Sequence, residues 1–346
     1  PFVFGRGGEE ALALRRAGVE FEVVPGVTAG VGAPAFAGAP VTHRGVSSSV
    51  LLVTGNEDAA KGAGMVNWRA AAQLGGTICV YMAARCLERV AGELMAGGMP
   101  PATPCLAVHR GATPAQQCVS ATLGRVAEEA GGLGPPLMLV VGEVARLRDE
   151  LRWFEERPLF GKRVMVTRPR RQGAGLARLL REQGAEAIAA PAIRVEPLED
   201  TAGLDDLVRR LGGFDWVVFL SVNAVEAVFA RLEALGRDAR AFGGARVAAG
   251  GGATARRLRE LGLRPDAAPA TGGGAAAREE MMRVSPGGGS ALVFRSSLGE
   301  GGWGEGMGGW SVVEAAAYRT VMEERLPDGA RRRLEGGEVD YVTFAS

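Results

Sequence analysis

The chain has 346 residues, more than one ordinary hydrophobic core holds, and this length predicts two or more domains. Its 40 Lys and Arg residues nearly balance 39 Asp and Glu residues, which disfavours nucleic acid or an anionic membrane as a partner. With no CxxC pair among four cysteines, no apolar run of about 20 residues and no recognisable signal peptide, we expect a cytoplasmic protein with reduced thiols and no metal site.

The first part of the chain alternates short β-rich runs with Ala-rich amphipathic stretches, a pattern typical of α/β proteins. The predicted strands are residues 21–24, 50–53, 77–81, 105–108 and 137–141, with helices at 86–95 and 123–130. Residues 151–163 break this rhythm, with Pro158 and Gly161 as turn signals.

A second α/β pattern then starts independently. The predicted strands are residues 163–167, 216–220, 246–249 and 291–294, and a helix at 174–183 ends at Gly184. Three Gly-rich clusters between residues 271 and 309 show little periodicity, and a flexible loop and a degraded region fit them equally well. Both ends look cut, so we expect a fragment of a longer chain.

The string FVFGRGGEE at residues 2–10 is the sharpest local signal. Its glycines let backbone approach a ligand closely, and the helix they open can bind anions, although an ordinary strand-to-helix turn also fits. Further motifs follow in one order: VPGVTA at 24–29, PVTHR at 40–44, YM at 81–82, HRGAT at 109–113 and VVGEV at 140–144.

This ordered set resembles the uroporphyrinogen-III C-methyltransferases, within the precorrin methyltransferase family, up to about residue 154. The resemblance implies methyl transfer from S-adenosylmethionine to two pyrrole carbons of uroporphyrinogen III, giving precorrin-2, and a homodimer formed through a complete methyltransferase part. The family's Gly-Gly-Asp ahead of Pro1-Phe2 is missing. The implied cofactor contacts are Val3, Thr28, Ala29, Met82 and Gly111.

Uroporphyrinogen III carries carboxylates around its rim, for which guanidinium groups are suited. Arg6, with Glu9 beside it, and Arg44 lie in Gly or Pro turns and are the candidate substrate contacts. The resemblance also implies a catalytic role for Arg6 in proton loss from the methylated macrocycle. Arginine is a poor base, and His43 and His109 suit that role better by pKa, although hydrogen-bonded turn histidines are an equally good interpretation.

From residue 159 a second resemblance begins, to uroporphyrinogen-III synthase. It rests on VTRP at 166–169, FLSVNAV at 219–225, VAAGGGATA at 247–255, AYRT at 317–320 and DYVTFAS at 340–346. It implies cyclisation of hydroxymethylbilane to uroporphyrinogen III with inversion of the last pyrrole ring, without metal or cofactor, and with Tyr318 as proton donor. Hydroxyls and N–H groups after strands suit this polycarboxylate substrate. The candidates are Ser221, Asn223, Gly251, Thr254 and Ser346, whereas Leu220 and Ala345 stand where the family usually has Thr.

We therefore predict an α/β chain with a partial methyltransferase at 1–154, a linker at 155–161 and a C-terminally incomplete synthase at 162–346. The synthase should have two lobes, the central one spanning about 196–326. The expected partners are tetrapyrroles, with no nucleic acid and no membrane. Two alternatives are a nucleotide-dependent oxidoreductase, disfavoured by the lack of a GxGxxG in a clean βαβ unit, and a non-catalytic two-lobed binding protein.

Overall fold

The computed structural model describes residues 2–56, 66–269, 273–299 and 301–344. They form two compact α/β units, so the predicted fold class is confirmed. The first unit comprises Pro1–Val166, Gly173–Ala189 and Gly329–Ser346, and the second comprises Thr167–Gln172 and Ala190–Asp328. Among the described helices, none is long and apolar enough to span a bilayer.

The larger sheet of the first unit has five strands in the order β1-β2-β5-β3-β4. Only β1 and β2 pair in parallel, and the remaining neighbours are antiparallel. Strands β2 and β5 are buried along their whole length, which explains their uninterrupted apolar sequences. The strands are β1 Val50–Thr54, β2 Thr77–Tyr81, β3 Pro104–His109, β4 Gln117–Thr122 and β5 Leu137–Val141. The helices are α1 Gly7–Arg16, α2 Ala29–Phe36, α3 Trp68–Ala72, α4 Leu87–Ala96, α5 Val126–Ala130 and α6 Arg148–Leu151.

The strand predicted at residues 21–24 is wrong. The segment is not assigned to a strand, and Phe21, Val23 and Val24 are exposed. A strand needs a neighbour to satisfy its backbone N–H and C=O groups, and no described part of the chain pairs with this segment. The preceding helix α1 likewise buries none of its residues.

A second, three-stranded parallel sheet lies in the first unit, in the order β13-β6-β7. Residues 153–160 join the two sheets in sequence, and Phe154 is their buried residue. The Phe154 ring contacts Phe36 and Phe160 at centroid distances of 4.9 and 5.4 Å, and the Arg157 guanidinium lies 4.6 Å from the Trp153 ring centroid. The elements are β6 Arg163–Val166, α7 Arg170–Glu182, β7 Glu186–Ala189, α12 Asp328–Glu335 and β13 Tyr341–Thr343.

The second unit is built on a five-stranded sheet in the order β10-β9-β11-β12-β8, in which only β8 is antiparallel. Strand β9 is fully buried, and Phe219 stacks on Phe294 with ring centroids 5.5 Å apart. The strands are β8 Ile193–Glu196, β9 Trp216–Phe219, β10 Arg246–Ala249, β11 Gly289–Ser296 and β12 Trp310–Met322. The helices are α8 Ala202–Arg209, α9 Val222–Ala234, α10 Gly252–Glu260 and α11 Gly274–Val284.

The described part of the Gly-rich stretch is folded. It supplies α11 and β11, and the turn after β11 packs back on α11. Trp303 Nε1 donates to the Gly274 carbonyl at 2.8 Å, Arg278 donates to the Trp303 carbonyl at 3.2 Å, and Met307 is buried. Thr271, with which the stretch was predicted to begin, lies outside the described residues.

Candidate functional site

The first unit contains a cavity of 960 Å³ near the ends of β2 and β3. Ala29, Met82 and Gly111, three of the five predicted cofactor contacts, line it. Thr28 instead contacts Tyr81, and Val3 is exposed ahead of α1. Other lining residues include Ala33, Tyr81, Arg85, Cys86, Arg89, Arg110 and Met138.

Three non-glycine residues with left-handed backbone lie in or beside the lining of this cavity. Met82 directly follows β2 with φ 55°, and Arg110 and Ala112 follow β3 with φ 48° and 63°. Left-handed conformations cost non-glycine residues roughly 1–2 kcal/mol each, and such strain clusters at ligand sites. Gly111 lies between the last two, and a Cβ there would be 2.6 Å from the Ala33 Cβ. Only glycine therefore lets this loop approach α2 so closely.

Tyr81 fixes the start of α2. Its hydroxyl lies 2.6 Å from Thr28 Oγ1 and accepts the Gly30 N–H at 2.8 Å. A Cβ at Gly30 would be 2.5 Å from the same hydroxyl, so this position also requires glycine. Sequence analysis quoted Tyr81 only as a motif neighbour of Met82 and did not predict this role.

The predicted substrate residues of the first unit are all exposed. Arg6 immediately precedes α1, and its carbonyl accepts the Glu10 N–H at 3.0 Å; Glu9 lies in the first turn. Arg44 lies in the turn closed by the His43–Ser47 bridge. None of the three lines the 960 Å³ cavity, so within the described residues the structure does not bring them to the candidate cofactor contacts.

His109 is the last residue of β3, and its ring contacts the turn before β5. Its Nδ1 lies 2.7 Å from the Gly134 carbonyl and 3.1 Å from that of Pro136, so Nδ1 is the protonated nitrogen that donates. These contacts support the turn-histidine interpretation of His109 over a role as a base.

A buried polar network lies behind the cavity. Arg148, 9% exposed, donates to the Ala37 carbonyl at 2.6 Å and to Glu155 Oε2 at 2.5 Å. Gln116 Nε2 donates to the other carboxylate oxygen at 2.8 Å. Burial raises the pKa of Glu155, but hydrogen bonds from Arg148, Gln116 and Cys118 outweigh it and leave the pKa below its ordinary value. Sequence analysis placed Glu155 in a linker and missed this network.

The network predicts an acid-sensitive contribution to stability. Because the folded-state pKa of Glu155 is lowered, its carboxylate stabilises the fold above the unfolded pKa, about 4.3, and this stabilisation is lost as pH falls through the folded pKa. Glu155→Gln should therefore lower the melting temperature at pH 7, and the gap to the parent chain should narrow toward pH 3. Thermal melts from pH 7 to pH 3 measure this.

The control is Glu156→Gln, which removes an exposed ion pair with Arg152. A difference in melting temperature between Glu155→Gln and the parent chain that did not depend on pH would contradict the prediction.

In the second unit, Ser221 and Tyr318 meet at the sheet edge where β9 ends. Ser221 Oγ accepts the Ala224 N–H at 3.1 Å, capping α9, and lies 3.0 Å from the Tyr318 hydroxyl. Tyr318, on β12, is 7% exposed. Asn223 Oδ1 accepts a hydrogen bond from Gln172 Nε2 at 2.5 Å.

The two substrate residues predicted between β10 and α10, Gly251 and Thr254, differ in their exposure. Gly251 is half-buried at the helix start, and a Cβ on the adjacent Gly250 would be 2.7 Å from the Leu220 carbonyl oxygen. Thr254 is 5% exposed on the core side of α10, away from solvent. Ser346 lies outside the described residues.

Two further hydroxyls lie beside Tyr318 and were missed by sequence analysis. Ser296 Oγ lies 2.7 Å from Thr320 Oγ1, and Ser296 pairs with Tyr318 across the β11–β12 ladder at a register shift. No local signal identifies this pair, since it depends on how two distant strands align.

Comparison with known proteins matches each part of the chain to a family model. The model for uroporphyrinogen-III synthase HemD matches residues 174–346, and the model for tetrapyrrole (corrin/porphyrin) methylases matches residues 1–127. The porphyrin biosynthesis protein HemD of Ruminiclostridium josui is 35% identical over 273 residues, 78% of this chain and 54% of that protein.

Other relatives match in the same way. The uroporphyrinogen-III C-methyltransferase of Bacillus subtilis is 33% identical, over 69% of this chain and 49% of that protein. The crystal structure of the uroporphyrin-III C-methyltransferase of Thermus thermophilus with S-adenosyl homocysteine is 40% identical, over 42% of this chain and 64% of that one, with a TM-score of 0.37. The chain thus spans about half the length of these two curated relatives.

Proposed function

Because this chain belongs to the uroporphyrinogen-III synthase family and carries a tetrapyrrole methylase domain ahead of it, we propose that it catalyses two consecutive steps of tetrapyrrole biosynthesis. The synthase part cyclises hydroxymethylbilane to uroporphyrinogen III with inversion of the last ring. The methyltransferase part uses S-adenosylmethionine to convert that product to precorrin-2, toward siroheme or cobalamin. The product of one part is the substrate of the other.

The observation that best supports the synthase step is the contact between Tyr318 and Ser221. Since Ser221 Oγ accepts the Ala224 N–H, its own proton is free to be donated to the Tyr318 oxygen. The phenolic proton is then available for the departing hydroxyl of the bilane, which is a poor leaving group without it. The N–H groups at the starts of α9 and α10 suit the substrate carboxylates.

The cavity of the first unit fits S-adenosylmethionine in size and chemistry. The cofactor would supply an electrophilic methyl group on a sulfonium, so a strong nucleophile in the pocket would be harmful. Cys86 lines the cavity, but burial raises the pKa of its thiol more than Arg89 lowers it, so the thiol stays protonated and weakly nucleophilic. Ala29 and Gly111 would hold the cofactor through small side chains and backbone groups, and Met82 would contact it as well.

We propose that Arg6, with Glu9 beside it, and Arg44 bind the carboxylates of uroporphyrinogen III, and that Arg6 assists proton loss. Support comes from the exposure of Arg6 and Arg44, which both lie outside the helices. We further propose the boundaries 1–154, 155–161 and 162–346, a cytoplasmic location and a homodimer formed through the methyltransferase part.

Arg6→Ala and Arg44→Ala should each weaken uroporphyrinogen III binding by about 1.5–3 kcal/mol, because each loses a charge-assisted hydrogen bond. Affinity for S-adenosylhomocysteine should be unchanged, since neither residue lines the cavity. Titration with each ligand separates the two effects. Arg16→Ala, an exposed arginine at the end of α1, is the control. Unaltered uroporphyrinogen affinity in both variants would make Arg6 and Arg44 ordinary surface residues.

The two activities are tested together by feeding the 346-residue chain freshly made hydroxymethylbilane and methyl-labelled S-adenosylmethionine. Chromatography of the products should show type III-derived material in excess of spontaneous type I, with the label in the methylated product of the type III isomer. A product mixture identical to that formed without protein would contradict the synthase step. Type III product without label, even when uroporphyrinogen III is supplied directly, would contradict the methylation step alone.

A further inference from the structure

One buried side chain helps to hold the loop after β3 in its strained shape. Gln116, 4% exposed, accepts the Ala112 N–H on its Oε1 at 2.9 Å. Ala112 and Arg110 both have left-handed backbone conformations, and Arg110 and Gly111 line the cavity. A left-handed alanine is unfavourable by itself, so this hydrogen bond is an anchor for the conformation.

The Nε2 end of the same amide donates to two acceptors outside this loop. Gln116 Nε2 donates to Glu155 Oε1 at 2.8 Å and to the Phe36 carbonyl at 3.3 Å. Phe36 ends α2, the helix whose first residue, Ala29, lines the cavity. The amide therefore links the loop that carries Gly111 to the helix that carries Ala29, two of the three predicted cofactor contacts at the cavity. Arg148 fixes Glu155 in turn.

We propose that Gln116 is a positioning residue for the cofactor: it sets the spacing between the Arg110–Gly111–Ala112 loop and α2. The proposal rests on the proposed function of this cavity as the S-adenosylmethionine site. An amide suits the position because it accepts and donates at once. A carboxylate at 116 would face Glu155 with like charge, and an apolar side chain would leave the Ala112 N–H without this acceptor.

The test compares Gln116→Met, which keeps the volume and removes all three of these hydrogen bonds, with two controls. Gln117→Met changes the exposed neighbour on β4. Thr77→Val removes the buried hydrogen bond from Thr77 Oγ1 to Ser47 Oγ, 2.9 Å, and so destabilises the unit without touching the loop. S-adenosylhomocysteine affinity is measured by calorimetry well below each melting temperature, and exchange of the Ala112 amide is followed by hydrogen–deuterium exchange without ligand.

Gln116→Met should bind S-adenosylhomocysteine about fivefold to tenfold more weakly, the scale of one lost hydrogen bond, and its Ala112 amide should exchange faster. Both controls should bind like the parent chain, although Thr77→Val melts at a lower temperature. Parent-like affinity of Gln116→Met overturns the positioning role and leaves the proposed cofactor intact. A parent chain that does not bind S-adenosylhomocysteine overturns the cofactor assignment itself, and the positioning role with it.

Discussion

Replacing Tyr318 by Phe is expected to lower the kcat for type III product by about 10²–10⁴, the range for loss of general acid assistance. The ring stays in place, so its packing at the end of the sheet is kept, and only the hydroxyl that lies 3.0 Å from Ser221 is lost. Loss of the bilane hydroxyl then has no phenolic proton to assist it. The free energy of unfolding should fall by no more than about 1.5 kcal/mol, the upper range for a single hydrogen bond.

The readout must separate isomers, because hydroxymethylbilane also cyclises spontaneously, without inversion, to the type I product. Tyr341→Phe, the same change at an exposed position on β13, is the matched control and should behave like the parent chain. If Tyr318→Phe formed type III product at the parent rate, the proton would have to come from another group, and the Ser296–Thr320 hydroxyl pair would be the next to test.

Ala29→Trp should weaken S-adenosylhomocysteine binding by about 1–3 kcal/mol, or about fivefold to 150-fold, because the indole would occupy space that the ligand needs. Ala29 is the first residue of α2 and lines the 960 Å³ cavity, so a large side chain there projects into it. Calorimetric titration measures the effect. Val31→Trp, on the exposed side of the same helix, carries the same bulk away from the cavity and should bind normally. If both variants bound S-adenosylhomocysteine with the affinity of the parent chain, the start of α2 would not be part of the cofactor site.

Most of the fold could be predicted because buried strands have a local signature. The apolar runs at β2, β5 and β9 are each 4 or 5 residues long and buried throughout, and turn residues bound them. The prediction failed at residues 21–24, where the composition is equally suited to a strand. Composition reports that a segment tolerates an extended backbone, but not whether a neighbouring strand is present to pair with it.

The candidate sites divide along similar lines. The ordered motifs grouped Ala29, Met82 and Gly111 as cofactor contacts, and the structure brings these three to one cavity, each at the start or just past the end of a helix or strand. Gln116 and Glu155 could not be paired from sequence, since 39 residues separate them and only the fold brings them within 2.8 Å. Their types are also ambiguous by themselves, because most Gln and Glu side chains are exposed.

The packing of residues 153–160 constrains how the chain can be divided into separate proteins. A methyltransferase expressed alone and ended at residue 154 would keep Arg148 but lose Glu155, leaving a buried guanidinium without its carboxylate partner. It would also expose the Phe154 ring by removing Phe160. A cut after residue 160 retains both contacts. Recombination that exchanges one enzyme for another at this junction would break the same two contacts if it cut before residue 160. Viable gene fusions and fissions should therefore fall after Phe160.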